Sequence, residues 1–143
     1  MKKIYAVIDT NVIFSALFTK KTDVATVKVL EAFYSGKIKA VVHSGILEEY
    51  KEVLSRPKFH FPPEIIETTV NAFASNGIFL DRTEMDVPVK DAKDVVFYEV
   101  TLTAKDVFDE AYLITGNRKH FPIKPFVVTP AEMMKILEDE KRK

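Results

Sequence analysis

A chain of 143 residues, 47% hydrophobic and 29% charged, has the length and balance of one globular domain with a real core. Lysine plus arginine equals aspartate plus glutamate at 21 each, so net charge announces no polyanionic partner, although a local basic patch would suffice for one. The absence of cysteine excludes disulfides, thiol catalysis and cysteine-based zinc sites, and no apolar run approaches the roughly 18 residues of a membrane span.

Met-Lys-Lys runs straight into a strand pattern, which argues against a signal peptide. The expectation is one cytoplasmic domain over 1–143 with no membrane partner. Residues 4–8 read as a buried strand, and 11–18 carry helical periodicity. A charged break, 19–22, precedes a second helix over 24–34 that stops at Ser35-Gly36. Residues 38–42 are a short apolar strand. Ser44 is placed to cap a helix over 45–54, which Pro57 prevents from continuing. Pro62-Pro63 opens a helix to about residue 75, ended by Asn76-Gly77, and 78–80 is a short strand. After a polar link to Lys90, residues 91–104 are helical, 112–115 and 126–128 are strands, and Pro130 starts a closing helix. Its charged end, 138–143, is expected to fray. No repeat or low-complexity segment occurs.

Short strands that are apolar on both faces, alternating with helices, predict a three-layer α/β/α domain around a mostly parallel sheet of about five strands. Ligands in such sheets gather at the carboxyl ends of the strands. That rule singles out Asp9 after the first strand, His43 and Ser44 after the second, Asp91 and Asp94 at a helix start, and Thr115, Gly116 and Asn117 after the fourth.

Asp9 interrupts IYAVIDTNVIFSALF, one of the most apolar stretches of the chain. A lone buried carboxylate is costly unless it is paired or holds a metal. In the helix after Ser44, Ile46, Leu47, Tyr50, Val53 and Leu54 define an apolar face at about 100° per residue. Glu48 and Glu52 fall about 160° from its centre, where solvated charges belong, whereas Glu49 falls about 100° away and flanks the sheet. Glu49 is therefore the candidate. Plain readings compete: Asp9 with Thr10 as a helix cap, and Asp91 with Asp94 as an ordinary helix start. Three independent acids on one rim weigh against them. Such carboxylates repel each other by on the order of 1 kcal/mol per pair even in water, so a site of this kind calls for a cation. Oxygen donors without cysteine or paired histidine point to Mg²⁺ or Mn²⁺, and to phosphodiester hydrolysis.

DTNVIFSAL, ILEEYKEVLSRPKF, DAKDVVFYEV, YLITGNRKHF and VVTPAEMMKIL, in this order and spacing, resemble the PIN-domain family over nearly the whole chain. The resemblance implies that Asp9, Glu49 and Asp94 are metal-binding acids and that Asn117 stands where many relatives carry a fourth aspartate. It also implies that Thr115 and Asn11 are hydrogen-bonding residues that orient carboxylates. The implied activity is a Mg²⁺- or Mn²⁺-dependent ribonuclease. The chain looks most like the toxin components of toxin–antitoxin pairs, with RNA as substrate and an antitoxin as partner. An amide at 117 carries one charge fewer, so weaker metal binding, and one ion rather than two, is expected.

Other residues read more plainly. His43, His60 and His120 lack metal spacing and read as packing or surface histidines, with His120 placed to reach a phosphate. Lys20, Lys21, Arg56, Lys58, Arg118 and Lys119 lie in or beside rim loops as candidates for an RNA backbone, with a solvated charge as the alternative for each. Phe59, Phe61 and Phe73 read as packing rather than base stacking; a homodimer or antitoxin interface there has no residue in its favour. Two function classes compete with the nuclease. One is a degenerate module that binds RNA or a protein without cutting. The other is a phosphoryl-accepting aspartate, which Asn11 disfavours because phosphatases of that type need a second acid there. Gly36, Gly45, Gly77 and Gly116 cannot build a phosphate-cradling glycine loop. If the basic residues contact phosphates, RNA affinity falls steeply with added salt in a filter-binding titration, and a flat response removes that role.

Overall fold

The computed structural model describes residues 3–84, 89 and 91–141. Five strands, β1 (Ile4–Ile8), β2 (Ile38–Val42), β3 (Ile78–Phe79), β4 (Ala111–Ile114) and β5 (Val127–Val128), form one sheet in the order β3-β2-β1-β4-β5. Every pairing is parallel. Parallel neighbours require a crossover between strands, and helices supply it: α1 (Thr10–Phe18), α2 (Ala25–Tyr34), α3 (Ser44–Leu54), α4 (Pro63–Asn76), α5 (Ala92–Val107) and α6 (Pro130–Lys141). The architecture is the three-layer α/β/α arrangement expected from the sequence.

The apolar strands are the reason. In β1, β2 and β4 all residues but the second are buried, as a sheet covered on both faces demands. Phe33 of α2 stacks on Phe73 of α4 at 4.2 Å, and Tyr50 of α3 meets Phe73 edge-on at 5.2 Å, which ties three helices together. The strand order reverses at β1, whose neighbours are β2 on one side and β4 on the other. Ile8 pairs with Ile114, so the residues after β1 and β4 leave the sheet side by side.

Several boundaries differ from expectation. The cap of α3 is His43, whose Nδ1 accepts the Gly45 amide at 3.0 Å; Ser44 is the first helical residue. An imidazole can do this because its unprotonated nitrogen is an acceptor two residues from a free amide. Helix α5 runs three residues beyond 104, because no breaker stands before Phe108, which leaves the helix to stack on Tyr5 at 3.6 Å. The tail expected to fray stays helical through Lys141, with Leu137 packed against the core. Phe73 is fully buried, but Phe59 and Phe61 are half-exposed and meet Phe14 at the surface. The polar link leading to Asp91 is anchored at its start by Arg82, which bonds the buried Glu99 of α5 at 2.8 Å; residues 85–88 and 90 lie outside the described residues.

Gly77 turns α4 into β3 at a close approach: a Cβ there would lie 2.3 Å from the Phe73 carbonyl oxygen and 2.8 Å from Val42. Gly77→Ala is expected to destabilise the fold by about 1–3 kcal/mol in chemical denaturation, because backbone must move to admit the methyl group.

Candidate metal centre at the strand ends

The rim gathers at the point where the strand order reverses, the position at which open parallel sheets bind ligands. Asp9 follows β1 and is only 6% exposed. It occupies the N-cap position of α1, yet its side chain makes no capping bond to the helix. Instead, Oδ2 accepts a hydrogen bond from Thr115 Oγ1, fully buried after β4, at 2.8 Å. That removes the plain reading of Asp9 as a cap. The backbone sets the pair: the Asp9 amide donates to the Ile114 carbonyl at 2.9 Å, which aligns the two residues across the strand ends.

Thr115 also receives. Its Oγ1 accepts the Asn117 amide at 3.0 Å, and Asn117 Nδ2 lies 3.1 Å from His120 Nε2. The other ring nitrogen, His120 Nδ1, stands 3.5 Å from Asp94 Oδ2, an ion pair when the imidazole is protonated. A chain of contacts therefore runs from Asp9 through Thr115, Asn117 and His120 to Asp94. His120 is exposed, as a surface histidine is expected to be, and its ring also joins the rim through Asn117 and Asp94. Its signal in the sequence is the spacing of three from Asn117, which a single 3₁₀ turn (Arg118–His120) converts into contact.

Asp94 sits in the first turn of α5, with Asp91 as the cap, accepting the Lys93 amide at 3.0 Å. The ordinary helix start is real, and it is Asp91 that performs it. Asp94 is left facing His120. Glu49 is half-buried on α3, and Glu48 is exposed, as the helical geometry predicts. The Asn11 side-chain oxygen accepts the Gly116 amide at 3.1 Å and ties the loop after β4 to α1.

Burial and like charge set the electrostatics. Burial pushes the Asp9 carboxyl from the ordinary 3.8 up to about 6, the Thr115 hydrogen bond opposes this, and the Asp94 charge adds to it. Asp94 is raised by burial and then by Asp91, against the His120 contact. Glu49 is raised by burial, relieved by Lys93, and raised again by Glu52 and Asp94. Asp94 thus acts on both other acids. Among the described residues no lysine or arginine forms a salt bridge with any of the three. One residue from Asp9, the buried Thr10 Oγ1 has no hydrogen-bond partner.

The donor chemistry fits a hard divalent cation: uncompensated carboxylate oxygens, an amide oxygen, and an unsatisfied hydroxyl. The placement is looser. Among the described residues no three histidine, aspartate or glutamate side chains stand close enough to hold one ion as they are. The Asp94 charge is felt by both Asp9 and Glu49, and Glu49 stands half-exposed on α3. Tyr50, read from the sequence merely as part of an apolar face, is what holds Glu49's helix to the rim. Its hydroxyl, fully buried, donates to the Ile8 carbonyl at 2.5 Å, one residue before Asp9.

Of the basic candidates, Arg56 pairs with Glu52 at 2.9 Å and Arg118 with Glu132 at 3.2 Å, both exposed and so weakly held. Lys20, Lys21, Lys58 and Lys119 are exposed.

The family model described as PIN domain matches residues 5–119, a span that contains all of these rim residues. A buried aspartate stands at the switch point of a five-stranded parallel sheet, with acids on two flanking helices. The chain belongs to the PIN-domain family, whose members are in general metal-dependent nucleases. No curated protein matches the chain. No helix among the described residues is long and apolar enough to cross a membrane.

The raised Asp9 carboxyl has a definite consequence for stability. Between about pH 4 and 6 the folded chain holds a proton that the unfolded chain has lost, so stability falls as pH rises through that window. The loss is on the order of 2 kcal/mol, or about 4–8 °C in Tm, in metal-free protein. Asp9→Asn is expected to flatten that slope in thermal scans from pH 4 to 7. Mn²⁺ at pH 7 is expected to restore the melting temperature of the wild type and leave that of Asp9→Asn unchanged.

Proposed function

We propose that this protein is an endoribonuclease that depends on Mg²⁺ or Mn²⁺ and hydrolyses RNA phosphodiesters, acting as the toxin of a toxin–antitoxin pair. The observation that carries the reading is the buried Asp9 carboxylate, held by Thr115, pushed up by burial and by Asp94, and without a lysine or arginine salt bridge among the described residues. Asp9, Asp94 and, after rotation, Glu49 would hold the cation, with the Asn117 side-chain oxygen as a neutral fourth donor. The cation supplies activation of a water nucleophile and neutralises charge on the phosphodiester.

The remaining work belongs to the chain. Thr115 keeps the Asp9 carboxylate in one orientation by donating to Oδ2. Burial of Asp9 lowers the local dielectric, so its charge acts strongly on whatever cation approaches. His120 bridges Asn117 and Asp94 and is placed to carry a proton between the rim and solvent. Asn117 brings no charge, which favours one ion over two.

Two observations favour a second reading, a PIN-like module that binds RNA or a protein partner without cleaving. They are the amide at 117 and the lack, among the described residues, of three converging metal donors. The two readings separate cleanly. With Mn²⁺ and a mixed RNA panel, Asp9→Asn is expected to abolish both cleavage and calorimetric Mn²⁺ binding. Thr115→Val is expected to lower activity by about 10- to 100-fold, the usual effect of losing a residue that orients a ligand. RNA binding that persists in EDTA, with no cleavage by metal-loaded wild type, would establish the non-cleaving module instead. Asn117→Asp is expected to tighten Mn²⁺ binding by at least about 5-fold, since it adds a full charge beside the ion; two tight sites in the wild type with no gain on this substitution would refute the single-ion reading.

A further inference from the structure

Outside the acidic centre, two segments distant in sequence build one aromatic patch. The Phe14 ring stacks on Phe18 at 5.3 Å, tilts against Phe59 at 4.3 Å and meets Phe61 edge-on at 5.7 Å. Phe18 is 62% exposed. Phe59 stands outside the hydrophobic core, while Phe14 and Phe61 border it. Rings left open in a cluster of this kind mark a contact surface more often than chance exposure does. The backbone is held for it: between Phe59 and Phe61, His60 adopts a left-handed conformation with φ of 56°, unique among non-glycine described residues. Such a conformation persists only where its surroundings maintain it.

The charge around the rings selects the occupant. Residues 14–21 and 56–61 contain Lys20, Lys21, Arg56 and Lys58 and no acid, in a chain whose charges otherwise balance at 21 against 21. Glu52, outside these segments, offsets Arg56 alone. The Lys58 ammonium lies 5.1 Å from the centre of the Phe59 ring, so cation and aromatic face form one surface. An exposed ring, Phe18, in a cluster that also carries a lysine on an aromatic face, is the combination that binds unpaired nucleic acid, bases on the ring and phosphates on the cation. A protein helix would find apolar rings but also a positive rim, which requires an acidic partner.

Position links the patch to the rim. Asp9 begins α1, and Phe14 and Phe18 follow it by five and nine residues, about 8 and 13 Å along the helix axis. That is a reach of about two to four stacked nucleotides at 3.4 Å each.

We propose that Phe18 and Phe59 form a base-stacking platform that holds unpaired bases of an RNA strand beside the acidic rim. The choice of RNA rests on the nuclease reading above; the stacking itself does not. Stacking tolerates any base, so the platform selects for single-strandedness rather than sequence. A duplex keeps its base faces inside and cannot use it.

The test uses Asp9→Asn protein with Mg²⁺, so that binding is read without cleavage. Fluorescence anisotropy compares a labelled octanucleotide RNA with an abasic octamer of the same backbone. The base-bearing strand is expected to bind about 10-fold more tightly than the abasic one. Adding Phe18→Ala is expected to cost at least about 5-fold with RNA and almost nothing with the abasic strand, and Phe18→Trp is expected to retain or improve affinity. Phe18 is mostly exposed, so its truncation leaves the fold intact, which circular dichroism checks. Equal binding of the two strands, or RNA affinity indifferent to Phe18→Ala, overturns the proposal. So does a Phe18→Ala effect confined to oligomeric state or to capture of an acidic protein, which assigns the patch to a protein interface. If wild type cleaves no RNA while the stacking pattern holds, the platform stands and the nuclease reading falls. Cleavage without the stacking pattern means the reverse.

Discussion

The hydrogen bond from Thr115 to Asp9 is the contact on which the rest of the centre depends. It joins the ends of β1 and β4 across the reversal of strand order, and with the Thr10 backbone amide it supports a carboxylate that the fold has otherwise largely stripped of water. A single hydrogen bond to a charged group contributes about 1.5–3 kcal/mol, less than the cost of burying an isolated carboxylate. The deficit is visible as the raised Asp9 carboxyl. The fold thus carries a site that is unfavourable by itself and becomes favourable when positive charge arrives. The basic groups that reach the three acids act from the margin. His120 touches Asp94 without closing the space around Asp9, and Lys93 acts on Glu49 from α5.

The scaffold makes this tolerable by rigidity. Tyr50 is buried in full, packs on Phe73 and Phe97, and uses its hydroxyl on the Ile8 carbonyl. One side chain therefore couples the helix bearing Glu49, the strand bearing Asp9 and the helix bearing Asp94. Asn11 performs a similar service at lower depth by fastening Gly116 to α1. What is left adjustable is the outer set, Glu49, Asn117 and His120, which are only partly buried or exposed. A buried inner carboxylate with more exposed outer side chains is compatible with the metal-dependent nuclease proposed above.

The aromatic patch extends this logic to affinity. The acidic rim repels a polyanion, so residues that hold an RNA strand must lie off the rim and draw on something besides charge. On the proposal above, the exposed Phe18 ring and the Lys58 ammonium over Phe59 meet both needs.

The fold class, the five strands and the acids were legible in the amino-acid order because each rests on a local rule. A strand buried on both faces must be apolar throughout, a helix must show one apolar stripe, and strand ends in a parallel sheet share one rim. Glu49 could be separated from Glu48 by helical angle alone. The motifs that resemble PIN domains could be read for the same reason: they are short, contiguous and tied to strand ends. What needed the tertiary structure were relations between segments far apart in the chain. Thr115 and Asp9 are 106 residues apart and Tyr50 and Ile8 are 42 apart, and neither bond has a periodicity to betray it. His43 rather than Ser44 caps α3 because a ring nitrogen reached the free amide, a choice that residue preferences alone do not rank. Phe59 and Phe61 read as packing residues, and both do pack on Phe14, but hydrophobicity does not say that they would stop half-exposed at the margin of the core. Sequence determined which elements form and which acids share an edge. Packing decided which of those acids lost its water, which found a partner, and which rings stayed open, because desolvation is a property of the assembled neighbourhood rather than of any residue in the chain.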